Sequence, residues 1–170
     1  MVAPAEPDRT PDGRYLLVDG RRWRASDPAI PDPLRVELVA ELMDARRAIR
    51  GADETATRLA RARVQDAKVA LGERGEPWWE EPSEAGRRER LAAAMRALLH
   101  HRDAAKTICP SDAARVVGGP DWRSVMGTAR SVAAELAEAG VIEVRQRGVR
   151  VDSATARGPI RLGRGATWPA

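Results

Sequence analysis

Apolar positions along this chain follow two periods, and the points where the period changes mark its elements. Between Tyr15 and Arg24 they alternate around Asp19 and Gly20, a pair suited to a two-residue hairpin loop. Pairing across that loop sets Val18 against Arg21, Leu16 against Trp23 and Tyr15 against Arg24. Leu16, Val18 and Trp23 then share one face, and Tyr15, Leu17, Arg22 and Arg24 the other. From residue 34 to 50 the spacing becomes helical, with Leu34, Leu38, Leu42, Ala45 and Ile49 on one stripe. Gly51 breaks it and Asp53 is placed to cap a second helix running to about Leu71. The second stripe is poorer: Ala56, Ala60, Val64, Ala67 and Leu71. Helices joined this tightly are expected to lie antiparallel.

Beyond a connector at 73–82, Ser83 can cap a helix that buries Leu91, Met95, Leu98 and Leu99. Ser111 is expected to cap a short helix ending at Gly118, Gly119 and Pro120. Asp121 then caps a longer one, from Trp122 to about Ala139, with Trp122, Val125, Met126, Ala129, Val132, Ala133 and Leu136 inward. Gly140 ends it. Residues 141–145 and 149–152 alternate at period two around a tip at Gln146, Arg147 and Gly148. Ile142, Val144, Val149 and Val151 are expected inward. Helix, short helix, long helix and hairpin form the order of a winged helix. The predicted class is α+β, mainly helical: an N-terminal β-hairpin plus helical hairpin, followed by a C-terminal winged-helix-like domain. The expected divisions are a disordered leader at 1–13, the hairpin module at 14–72, a link at 73–82, the winged unit at 83–164 and a tail at 165–170.

The segments ICPSDAAR, DWR and ARGPIRL resemble those of a bacterial family known only as a winged-helix-like domain of unknown function. The resemblance spans about residues 83–164 and implies a fold without an activity. The first half resembles a segment of actinobacterial proteins, some labelled biopolymer transporter Tol.

Composition sharpens this picture. Among 170 residues, phenylalanine is absent, so cores must rest on Leu, Val, Ala and five tryptophans. No apolar run approaches the roughly 18 residues of a membrane span, and no signal segment opens the chain. A cytoplasmic protein is expected, in keeping with the single cysteine, Cys109. Charge is uneven. Residues 1–82 hold 14 Lys+Arg against 16 Asp+Glu, and residues 83–170 hold 15 against 9. The basic half points to a polyanion.

Few residues point to reaction chemistry. His100, His101, Asp103 and Cys109 are close in sequence. Adjacent histidines on a helix point about 100° apart, however, and no CxxC or HxxxH spacing supports a metal. They are expected to close a helix C-terminus, where positive charge is favoured. Cys109 is expected to be structural. Glu80, Glu81 and Glu84 form no acid–base pair, and no phosphate loop is present. No enzyme, catalytic residue, cofactor or metal is expected. Trp78 and Trp79 are expected to pin the link onto a domain rather than form an exposed recognition platform. Arg22 and Arg24 beside Tyr15 and Trp23 could bind nucleic acid by charge and stacking, but are expected to lay their stems over apolar neighbours.

Binding remains. The expected site is a weakly sequence-selective contact with double-stranded DNA. Arg123 and Arg130 lie on the long helix, Arg145, Arg147 and Arg150 on the wing, and Arg157 and Arg161, with Arg164, on a trailing arm. The outward helix face centres on Ser124, Gly127 and Ser131, with Glu135 and Glu138 opposing phosphate further along, so the wing and arm are expected to dominate. The alternative is a protein-contact module, with the N-terminal helical hairpin meeting a partner or a second copy.

Overall fold

The computed structural model describes residues 7–169. Strands β1 (Asp8–Arg9), β2 (Tyr15–Val18) and β3 (Arg21–Arg24) form an antiparallel sheet in that order. The β2–β3 register is the expected one, Tyr15 opposite Arg24 and Leu16 opposite Trp23. Asp19 and Gly20 both take left-handed backbone, at φ 49° and 73°, which matches a two-residue loop to the twist of its strands. The sheet has one strand more than expected. Asp8 and Arg9 pair with Leu17 and Leu16, giving the ladder a third member where two strands alone are marginal. Residues 8–9 therefore belong to the sheet; residues 1–6 of the expected leader lie outside the described residues.

Helices α1 (Asp32–Ala48) and α2 (Glu54–Ala70) follow. Leu34, Leu38, Leu42 and Ala45 are buried, and the Asp53 carboxylate accepts from the Ala56 N–H at 2.8 Å. The α2 stripe is largely the expected one, with Val64 packed on the core, but it starts later and widens toward its end. Ala56 is exposed, while Val69 and Ala70 join Ala60, Ala67 and Leu71 inside.

Helix α3 (Glu84–His101) starts where Ser83 Oγ accepts from the Gly86 N–H at 3.0 Å. It buries Leu91, Ala93, Ala94, Met95, Ala97, Leu98 and Leu99, more than one stripe, because α1, α2 and two later helices all pack on it. The first of these, α4 (Pro110–Gly118), begins two residues earlier than expected. Cys109 takes the capping position, Pro110 starts the helix, and the Asp112 carboxylate returns to the Cys109 N–H at 2.9 Å. A single 3₁₀ turn at Gly119–Asp121 leads into α5 (Trp122–Glu138). Asp121 precedes α5 without capping it; its carboxylate accepts from the Ser124 hydroxyl instead. Val125, Ala129, Val132 and Ala133 are buried as expected.

Strands β4 (Ile142–Gln146), β5 (Val149–Arg150) and β6 (Arg161–Arg164) form a second sheet, ordered β5-β4-β6. Arg147 and Gly148 make its two-residue loop, both left-handed. Ile142 and Val144 face inward as expected, but Val149 is 65% exposed. β5 is a two-residue edge strand, and its place in the core is taken by β6. The trailing arm is thus a strand: Leu162 is fully buried opposite Val144, and Ile108 bridges to it from the other side. The tail also packs, with the Thr167 N–H on the Gly140 carbonyl and Trp168 against His100.

One apolar core runs from Ile30 through Leu71 and α3 to Leu162, with no gap at 73–82. That link is pinned, the Trp78 indole donating to the Ala25 carbonyl at 2.9 Å and Trp79 meeting Tyr15 edge-on. Three arginines on or just after α3 fasten the two segments. Arg90 donates to Asp27, Arg96 to Asp66 and Arg102 to Glu37, the last two through paired bonds of 2.6–3.0 Å. Burial pushes the Arg90 guanidinium down from its ordinary value, opposed by the Asp27 carboxylate. Replacing Arg90 with Met leaves Asp27 buried without its cation, and is expected to cost about 3–5 kcal/mol. The urea midpoint at constant m-value reads this; a loss below about 1 kcal/mol would show that the pair does not hold the segments together.

Candidate nucleic-acid interface

The cross-strand register sets the geometry of the basic surface. Arg150 lies opposite Arg145, and Arg145 opposite Arg161, so three arginines form a row across β5, β4 and β6. Residues directly opposite share a face, and Val144 and Leu162 point the other way, so the row lies on the outer face. Like charges placed opposite one another repel. Two members of the row have local relief: Arg145 pairs with Glu143, and Arg161 donates to the Thr107 hydroxyl and carbonyl at 2.9 Å. Among the described residues Arg150 has no ion-pair partner, and neither does Arg147 at the tip, where φ is 51°. That backbone favours glycine or asparagine, so an arginine there carries a conformational cost.

The rest of the expected site is divided. Arg130 donates to the carbonyls of Ala156 and Gly158, holding the loop before β6 against α5. Gln146 reaches the carbonyls of Arg157 and Pro159 from the β4–β5 hairpin, so α5, the loop and the hairpin are tied together around the exposed Arg157. Arg164 leaves the candidate surface. Its guanidinium donates to the carbonyls of Leu99, His100 and Arg102, closing the C-terminus of α3. Arg161 is held by Thr107.

On α5, Ser124, Gly127 and Ser131 are exposed, and a Cβ at Gly127 would meet nothing within 4 Å. Glu135 pairs with Arg88 of α3, which also reaches Ser131. Arg88 was not foreseen, and neither was Arg115. The Arg115 and Arg123 guanidiniums each lie 4.6 Å from the Trp122 ring centroid. An arginine in the last turn of α4, seven residues before a tryptophan, was the available signal. Charge asymmetry, by contrast, overstated the basic surface. Arg90, Arg96 and Arg102 belong to the basic half, and all three pair with acids of the other half.

Both histidines sit in the last turn of α3, as expected, but the surroundings of His100 disfavour a positive charge there. Burial, with Arg63, Arg164 and Arg96 nearby, pushes its pKa to about 4, and its ring packs on Trp168 at 4.6 Å. Glu41, Asp44 and His101 bring ligand atoms within 4.8 Å of one another. Both Glu41 oxygens already accept from Arg63, at 2.7 and 2.9 Å, so a guanidinium supplies the positive charge there. Cys109 is half-buried, its Sγ 3.8 Å from the Ile160 carbonyl.

Residues 88–165 match a family described as protein of unknown function (DUF3253). The matched region contains most of α3, then α4, α5 and the second sheet. The first half lies outside it, and the resemblance of that half to Tol transporters finds no support. No curated protein matches the chain. No helix among the described residues is long and apolar enough to cross a membrane.

The lowered pKa of His100 gives a pH dependence. The folded protein resists protonating a group that the unfolded chain protonates near 6.5, so the stabilisation is complete above that pH. It is lost as pH falls from about 6.5 toward 4. Urea midpoints at pH 7 and pH 5 are expected to differ more for the wild type than for His100→Asn. Equal differences would mean that His100 titrates normally.

Proposed function

We propose that the second half is a winged-helix unit that binds double-stranded DNA through its wing, with weak sequence preference. The observation that carries this reading is the arginine row Arg150–Arg145–Arg161 beneath a tip bearing Arg147. Three like charges in register, below an arginine at a costly backbone position, disfavour folding and favour a polyanion. The sheet order supports the winged architecture, with Ile108, β6 and β4 in succession and the wing joining β4 to β6. The small outward residues of α5 permit close approach to a groove, and the Arg88–Glu135 pair removes one opposing charge.

A second reading, protein contact, draws on the other half. Val18, Trp23, Val36, Val39 and Met43 leave more than a third of their surface exposed, an apolar area beside basic Arg21 and Arg46.

Fluorescence anisotropy with a random-sequence duplex distinguishes the two. With about four phosphate contacts, affinity should fall with salt at a log–log slope near −3 to −4. Arg147→Glu, Arg150→Glu and Arg157→Glu together are expected to abolish binding, and Arg123→Ala to weaken it mildly. Binding that survives the triple change but disappears with Arg123→Ala would make α5 a base-reading helix. Absence of binding by the wild type favours the protein-contact reading.

A further inference from the structure

Two arginine–tryptophan–arginine stacks stand on either side of the junction between the halves. In one, Arg14 and Arg24 lie 5.0 and 5.6 Å from the Trp79 ring centroid. Tyr15 meets that ring edge-on at 5.5 Å and carries Arg22 in turn, also at 5.5 Å. In the other, the Arg115 and Arg123 guanidiniums both lie 4.6 Å from the Trp122 ring centroid. The junction is close. Gly119, at φ 51°, allows the α4–α5 turn to approach Ala29 so nearly that a Cβ there would come within 2.9 Å of Ala29 Cβ. Trp78, Trp79, Val117 and Gly118 line a single cleft of about 380 Å³, and Gly118 abuts Trp122.

A guanidinium stacked on an indole uses its flat face for the contact and keeps its N–H donors at the edge, pointing outward. Stacking also fixes a side chain that would otherwise lose rotamer freedom on binding. Such arginines are prepared forks for phosphate oxygens. Arg24 has spent part of its fork on the Gly75 and Glu76 carbonyls. Arg14 faces Asp12 only at 3.9 Å, and among the described residues Arg22, Arg115 and Arg123 have no ion-pair partner. The nearby carboxylates Asp8, Asp12 and Glu80 are exposed.

We propose that these two stacks contact phosphates of the same duplex, so that the bound surface extends from the wing across the start of α5 onto the N-terminal hairpin. The inference rests on the DNA-binding reading and adds a second, separate point of contact. It gives the first half a share in binding, outside the region matched by the family.

The test is the salt dependence of binding by full-length Arg14→Gln/Arg22→Gln, both changes leaving the Arg24 anchor intact. With the first half also engaged, the wild-type log–log slope should be steeper than the about −3 to −4 of the second half alone. Each lost phosphate contact should reduce it by about 0.9, so the double change should reduce it by about 2 and weaken binding at 0.1 M salt about 50-fold. Arg14→Lys/Arg22→Lys should retain most of the slope, because charge is kept. If the glutamine variant fails to melt cooperatively, the exposed single change Arg22→Gln is read instead, with an expected slope change of about 1. A folded glutamine variant with wild-type slope and affinity overturns the inference; if the wing variant still loses binding, the wing reading survives. No binding by the wild type overturns both.

Discussion

A guanidinium drawn out of water is best met by a carboxylate, and α3 and its cap bring three partly or largely buried arginines that are met in this way. Arg90, Arg96 and Arg102 leave one helix and its cap at successive levels, and each finds an acid from the first 66 residues. Apolar packing between alanine-rich helices is tolerant of small slides, whereas paired bonds from a rigid fork are not. The ion pairs therefore fix where α1, α2 and the connector at Asp27 sit against α3. Docked in this way, the first half covers the side of α3 that the second half leaves bare. The positions of the hairpin, the link and both tryptophan stacks follow from this docking.

The sequence made local periodicity legible. The register around Asp19 and Gly20, the buried positions of α1, α3 and α5, and the glycine stops depend on neighbours within a few residues, where spacing and sterics decide. Features that depend on distant partners were less accessible. Val149 has the right residue type for an inward position, yet β5 is too short and peripheral to use it. β6, 11 residues further on, supplies Leu162 in its place. The alternation of Ile160, Arg161 and Leu162 was readable as a strand, but the interrupting Gly158 and Pro159 made it look like an arm.

The candidate site shows the same division. Arg147 and Arg150 were readable as unpaired because a hairpin tip offers them no acid, whereas the Arg145–Glu143 pair was not foreseen. Nor were the roles of Arg130 and Arg164, since Arg130 bonds to carbonyls of a distant loop and Arg164 to carbonyls left free at the end of α3. Net charge by segment was the least reliable signal. It cannot distinguish an arginine facing solvent from one neutralised by an acid 63 residues away, as Arg90 is by Asp27.

Arg164 ends β6 in register with Ile142, while its guanidinium clasps the last carbonyls of α3 in the layer below. That clasp acts as an alignment pin. A slip of β6 by a single residue would turn Leu162 to solvent, drive Arg161 into the core and scatter the charged row. Pulling the guanidinium one residue along the strand would break its bonds to the helix before such a slip could complete. The spacing of positive charge on the outside of the sheet is therefore indexed to the end of a helix on its inside.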